Sequence, residues 1–334
     1  MTGVALNTVP DPYSEFGLFV QGQPAGYANS TQTRAFQWQN NTMTDIGTLG
    51  GPDAWGAFIN RRGQIAGDSY TNDTPNHDTG FPDDYPFLWT PGRDGKQGTM
   101  RDLGTLGGDS ITTDEGLNDR GEVIGSMYLA GDTQQHPYLW NGHKLKDLGT
   151  FGGLNGDTGS INDAGEVVGW AATTKSGDCE SFTQQELSFF WKDDVMRKIG
   201  LLPGTADSNA LAINSKTQVV GWSFNCDPPY NISAYLWERG VTTDLNTLIP
   251  PSSSLHLFFA IDINDRGGIA GFGTLSNGDV HAFVLIPNGR HASDSKLLTA
   301  RTAEAPRKVT TAELAVYRAI LAHLRNSRMR HRRL

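Results

Sequence analysis

An aromatic run closing on tryptophan recurs through this chain at near-constant spacing. It reads AFQW ending at Trp38, PFLW at Trp89, PYLW at Trp140, SFFW at Trp191 and AYLW at Trp237, and a sixth copy, AFVL, ends on Leu285. The steps between these positions are 51, 51, 51, 46 and 48 residues. A chain with such a period is an array of one supersecondary unit, each copy burying its apolar surface on the next.

Two further markers fix the frame. One is DIGTLGG at 45–51, DLGTLGG at 102–108 and DLGTFGG at 147–153, with worn forms KIGLLPG at 198–204 and DLNTLIP at 244–250. The other is INRRG at 59–63, LNDRG at 117–121, INDAG at 161–165, INSKT at 213–217 and INDRG at 263–267. A short run such as EVVG follows each of the latter and ends on Gly67, Gly125, Gly169, Gly221 or Gly271.

One repeat therefore reads as four strands. Strand A ends at the Ile/Leu-Asn pair, strand B is the EVVG-like run, strand C the aromatic run, and strand D leads into DLGTL. In the A–B turn, Asn60, Asn118, Asn162, Asn214 and Asn264 supply a side-chain oxygen as a cap, and the following Gly takes a positive φ. The copy INSKT has lost that Gly. In strand C the aromatic and the Trp share one face while the intervening residue points to the other, so both faces are covered. The Gly ending strand B is expected to admit close approach of a neighbouring sheet. Asp45, Asp102, Asp147 and Asp244 are expected to hydrogen-bond to the adjoining repeat, since a repeated residue serves a repeated structure.

Four antiparallel strands per ~50 residues, apolar on both faces, predict an all-β chain, a β-propeller of four-stranded blades. Six aromatic strands favour six blades; five is the alternative. A β-solenoid has shorter, more uniform coils. The first cassette is irregular: either GQPAG at 22–26 is a weak turn and strand B, or TVPDPY at 8–13 is already a B–C loop and strand A is lost. The last cassette lacks strand D, which an N-terminal segment would complete.

The propeller is assigned to 1–288 and a polar linker to 289–309. Thr310 to Glu313 reads as a capping box opening an amphipathic C-terminal helix with a basic tail over 310–334, with Leu314, Tyr317, Leu321 and Leu324 on one side. From Arg290 onward there are 11 Lys+Arg against 3 Asp+Glu; the body before it carries 16 against 33. A body of net charge −17 repels nucleic acid, whereas the basic tail suits an anionic surface. No apolar run reaches the ~20 residues of a membrane span, and the N-terminus shows no basic-then-apolar signal segment.

DLGTLGG, the INxxG turn, the VVG strand and the His281-Ala282-Phe283 run, echoed by HPY at 136–138, resemble the HAF repeats of bacterial proteins described as probable extracellular repeat proteins. The resemblance spans roughly 35–286. It implies a propeller and an extracellular or cell-envelope location, and it brings no catalytic residues and no established activity.

The residues show no GxSxG, HExxH, P-loop or CxxC signature. The departures from the repeat say more. Long B–C connections at 71–85, 173–187 and 224–231 share one end of the strands and would form a binding face. Asp73, His77, Asp78, Asp83 and Asp84 lie in the first; with Gly80 they offer hard oxygen ligands for Ca²⁺, although the spacing is not that of an EF-hand and a solvated acidic loop is the simpler reading. Tyr85 and Tyr230 offer rings for stacking on a sugar, or for packing. His136 and His281 sit at equivalent places before strand C, where a structural hydrogen bond explains them better than metal ligation. Cys179 and Cys226 fall in equivalent loops of adjacent repeats, a disulfide or two free thiols.

The function expected is a monomeric, non-enzymatic binding protein taking a glycan or a protein on its loop face. The alternatives are a polysaccharide hydrolase or lyase with carboxylates at the channel mouth, and a structural or adhesive surface module.

Overall fold

The computed structural model describes residues 1–11, 31–77, 80–92, 98–108, 113–177, 183–225 and 231–287. The expected linker and C-terminal helix lie outside these residues. So do GQPAG at 22–26, Asp78, Cys179, Cys226 and Tyr230. Among the described residues the chain is built of strands, with one 3-10 turn at Leu245–Thr247, and no helix is long and apolar enough to cross a membrane. It divides into two compact units, Met1–Leu148 and Gly149–Leu334.

The first unit holds three antiparallel meanders. Sheet one comprises Thr2–Pro10, Thr31–Gln39 and Thr42–Asp45. Sheet two comprises Ala54–Ile59, Ile65–Tyr70, Asp84–Thr90 and Thr99–Asp102. Sheet three comprises Thr113–Leu117, Val123–Tyr128, Gln135–Trp140 and Leu145–Asp147. The second unit holds sheet four (Gly152–Ile161, Val167–Ser176, Gln184–Lys192, Val195–Lys198), sheet five (Asp207–Ile213, Val219–Asn225, Asn231–Glu238, Val241–Asp244) and sheet six (His256–Ile263, Ile269–Thr274, Val280–Leu285). In each complete sheet the strands pair in chain order, A to B to C to D. This up-and-down meander is the topology of a propeller blade.

Among the described residues sheet one has three strands and no strand A. Residues 2–10 pair antiparallel with the aromatic strand, Gly3 opposite Phe36, and so stand in the place of strand B. The N-terminal strand is thus engaged in the first sheet; Thr8, Val9 and Pro10 of TVPDPY belong to that strand rather than to a loop, and 12–13 lie outside the described residues. Sheet six has A, B and C.

Within each unit successive sheets pack face to face. Phe87 and Trp89 of sheet two meet Ala35 and Ile46 of sheet one. Leu88, between them in sequence, points the other way and joins Tyr138, Trp140 and Met127 of sheet three. In the second unit Phe190 and Val168 of sheet four pack against Tyr235 and Ala210 of sheet five, and Val220 and Ala234 pack against Phe283 and Leu257 of sheet six. The period of two in strand C thus feeds two cores at once. Phe87, Tyr138, Phe189 and Tyr235 are fully buried, each contributing roughly 2–3 kcal/mol of apolar burial.

The glycine expected to end strand B lies third within it, and it has a different partner from the one expected. A β-bulge interrupts strand A opposite it in every sheet that has a strand A: the register slips after the pairs Gly56–Gly67, Asp114–Gly125, Thr158–Gly169, Ala210–Gly221 and Ala260–Gly271. A Cβ on Gly169 or Gly221 would lie 2.1 Å from the carbonyl oxygen of Asp157 or Asn209 in its own sheet. The close approach comes from the bulged strand alongside, not from a neighbouring sheet.

Candidate functional site

The A–B turns come first, because they set one end of every sheet. Asn60 Oδ1 accepts from the backbone N–H of Arg62 and of Gln64, both at 3.0 Å. Its amide nitrogen donates to Gln64 Oε1 and to the Asn118 carbonyl of the next sheet, at 2.9 and 3.0 Å. The same set recurs in the second unit, where Asn162 donates to the Asn214 carbonyl (3.0 Å) and Asn214 to the Asn264 carbonyl (3.1 Å). The cap was legible; the link to the next sheet, and the Gln or Glu four residues on that receives the other amide hydrogen, were not read. Gly63, Gly121, Gly165 and Gly267 take positive φ, and Thr217 stands in that conformation too, at φ 61°. Its hydroxyl donates to Glu166 Oε2 of sheet four at 2.7 Å.

The repeated aspartates act locally. Asp45, Asp102 and Asp244 accept from the backbone N–H two residues on, at 2.7–2.8 Å. They close Asx turns, which corrects the expected bond to the adjoining repeat. Asp147 is paired with His136, Nδ1 to Oδ1 at 2.9 Å.

At the opposite end of the strands, the 71–85 connection is braced by its own side chains. Asn76 Nδ2 donates to Asp83 Oδ1 at 2.9 Å, and Thr71 N donates to the Asp83 carbonyl at 3.0 Å. Asp73 and His77 are exposed, and Tyr85 is half-buried opposite Ser69. Asp84 is buried at the start of strand C. Burial pushes its carboxyl well above the usual range, and the charges of Asp68 and Asp53 push the same way. Asp53, buried at the start of strand A, accepts from Thr33 N at 2.6 Å through Oδ1. Burial raises its pKa to about 6 against the lowering effect of that hydrogen bond. Among the described residues no group of three or more His, Cys, Asp or Glu could hold a metal ion.

A cavity of about 440 Å³ opens at the A–B and C–D turn end of the first unit, between sheets two and three. Sheet two lines it with Gln64, Leu88, Thr90, Thr99 and Arg101, and sheet three with Arg120, Gly121, Trp140, Asn141, Gly142 and His143. Its size falls within the range of small-molecule sites. The Arg101 guanidinium lies 4.5 Å from the centroid of the Trp140 ring, and among the described residues it has no hydrogen bond or ion pair. Arg120 is held by Glu122, with Nη2 at 2.6 Å from Oε2. Among the described residues no carboxylate lines the cavity. Trp140 is buried, and among the described residues its Nε1–H has no hydrogen-bond partner. None of Arg101, Arg120, Trp140 and His143 stood out beforehand as a binding residue. By its place in the repeat Trp140 reads as core, and the departures from the repeat that suggest binding lie in the B–C loops.

No family model matches the chain, and neither does any curated protein. Several solved structures are similar in strand layout. The β-propeller domain of the Trilobed protease from Pyrococcus furiosus is 11% identical, with a TM-score of 0.47, covering 78% of this chain and 76% of that one. An acylaminoacyl peptidase from Pyrococcus horikoshii is 9% identical at TM-score 0.44, over 81% of this chain and 43% of that chain's length. A mutant Aleuria aurantia lectin in complex with alpha-methyl-L-fucoside is 14% identical at TM-score 0.35, over 77% and 84%. At these values no residue role or activity carries across.

Proposed function

We propose that the chain is a non-enzymatic β-propeller, six blades favoured, that binds a glycan through the cavity between sheets two and three. The observation that carries this reading is the cavity itself. It combines amide and hydroxyl groups (Gln64, Asn141, Thr90, Thr99) with an indole and an arginine that has no acceptor among the described residues, a mixture suited to a hydroxylated ring. It lies at the turn end of the strands, opposite the long B–C loops. The hydrolase reading asks for carboxylates from different repeats facing each other across a cleft roughly 5–9 Å wide. Asp53, Asp68 and Asp84, by contrast, belong to a single sheet, and two of them are buried.

Motif recurrence supports placing the chain with the HAF-repeat proteins and, with that, outside the cell. The test is calorimetric titration of the full chain against a panel of soluble polysaccharides, with reducing-end release measured in parallel. Binding without release is expected. Release of reducing ends would replace the binding reading with the hydrolase, and binding to none of the panel would end the glycan reading.

A further inference from the structure

The cavity's charge points to one class of sugar. Among the described residues Arg101 is held by stacking on Trp140 and by no carboxylate, so its donors face the cavity unpaired there while the ring fixes the side chain. Arg120 from the next sheet's turn is the second guanidinium on the lining, and His143 is a third basic group. The Arg120 guanidinium is partly satisfied by Glu122, both its Nε and Nη2 reaching Oε2, which leaves Arg101 as the lining guanidinium without a counter-charge among the described residues. A cationic recess in a body of net charge −17 would attract anions that the rest of the surface repels.

The repeat itself shows how particular this place is. The position of Arg101 is held by Thr44, Lys146, Arg197 and Thr243 in other repeats, and that of Arg120 by Arg62, Ala164, Lys216 and Arg266. Arg197 with Lys216 is the other pairing of two cations within one unit. There the position of Asn141 is taken by Glu238, whose carboxylate accepts from Gln218 Nε2 at 2.9 Å. The cavity of the first unit also pairs two cations, Arg101 and Arg120, with a neutral amide in that position.

We infer that the cavity binds a carboxylate-bearing pyranose, a uronate residue of an acidic polysaccharide. The carboxylate is taken by Arg101, with Arg120 beside it, and the ring hydroxyls by Gln64, Asn141, Thr90 and Thr99. This rests on the glycan-binding reading and specifies its ligand.

The experiment titrates the full chain with oligogalacturonate and oligoglucuronate, with their neutral galactose and glucose counterparts, and with acetate. The uronates are expected to bind at least tenfold more tightly than the neutral sugars, and acetate to compete only weakly. Arg101→Ala should weaken uronate binding tenfold or more, Arg101→Lys should recover part of it, and Asn141→Asp should oppose it by placing an acid where Glu238 stands in sheet five. Arg197→Ala should leave binding unchanged, and thermal unfolding of each variant separates a lost contact from a lost fold. Equal binding of neutral and acidic sugars, or an unaffected Arg101→Ala, overturns the uronate while leaving a glycan site. Acetate competing as strongly as the uronates reduces the site to a bare anion site. Binding to no saccharide overturns both readings.

Discussion

Single residues carry the joints between sheets. Asn214 makes two backbone caps, a side-chain bond to Gln218 and a bond to the next sheet's Asn264 carbonyl. Asn214→Ala should lower stability by about 2–3 kcal/mol in urea unfolding, whereas Asn214→Asp, which keeps the caps and loses the amide donor, should lose about half of that. Thr217 tests a trade between strain and contact. A β-branched residue at positive φ costs about 1–2 kcal/mol, and the hydrogen bond to Glu166 offsets it. Thr217→Val should therefore cost about 1–3 kcal/mol, and Thr217→Gly, which loses the bond but also the strain, less than about 1. Asp53 adds a pH dependence. Its folded pKa, about 6, lies above its unfolded value, so the folded state holds the proton more tightly. Stability from this group is present at low pH and is lost as pH rises from about 4 to about 6. Asp53→Asn keeps the acceptor for Thr33, and its Tm advantage over the parent should grow across that window and then level off. At ~1.4 kcal/mol per pH unit the advantage is at most roughly 3 kcal/mol.

At the scale of the element, the bulge in strand A and the glycine of strand B form one device. Gly221→Ala would place a methyl 2.1 Å from the Asn209 carbonyl oxygen and 2.9 Å from the Tyr235 hydroxyl. Neither neighbour is a free chain end, since Tyr235 OH donates to the buried Ser188 at 2.9 Å. The loss should be roughly 3 kcal/mol or more, read in the same urea titration, or failure to fold. The sequence announced each glycine but not its reason. A bulge is one extra residue in one strand, and its register is set only when the two strands meet. The strands themselves, their order and the alternation of strand C between two cores follow from spacing and period two, and those were legible. Asp45, Asp102 and Asp244 were misplaced because an Asx turn and a bond to the next repeat have the same sequence signature.

For the whole molecule, each sheet is apolar on the faces its neighbours cover, so removing one should expose a core. A chain ending after Asp244 would uncover Ala212, Val220 and Ala234, which Leu257, Ala260 and Phe283 otherwise bury. It should bind a hydrophobic dye and unfold with less cooperativity. The candidate site was harder to foresee than the fold, for a structural reason. Arg101 precedes the DLGT motif of one repeat, Arg120 sits in the turn of the next and Trp140 ends the strand after that. Each is ordinary within its own copy, and only packing of sheet two on sheet three brings them to one cavity. Reading each repeat alone finds the scaffold and passes over what two neighbours make together.

The asparagine links have a consequence for how such a gene can change. In both units a turn offers its amide forward to the following turn, and that following turn presents its own asparagine carbonyl to receive it. Each copy carries plug and socket alike. Duplication or loss of one whole cassette therefore leaves no orphaned joint, whereas a break within a cassette leaves two. Descent by unequal crossing-over would lengthen or shorten this chain in steps of about fifty residues, and ancestors of different copy number would have been foldable along the way.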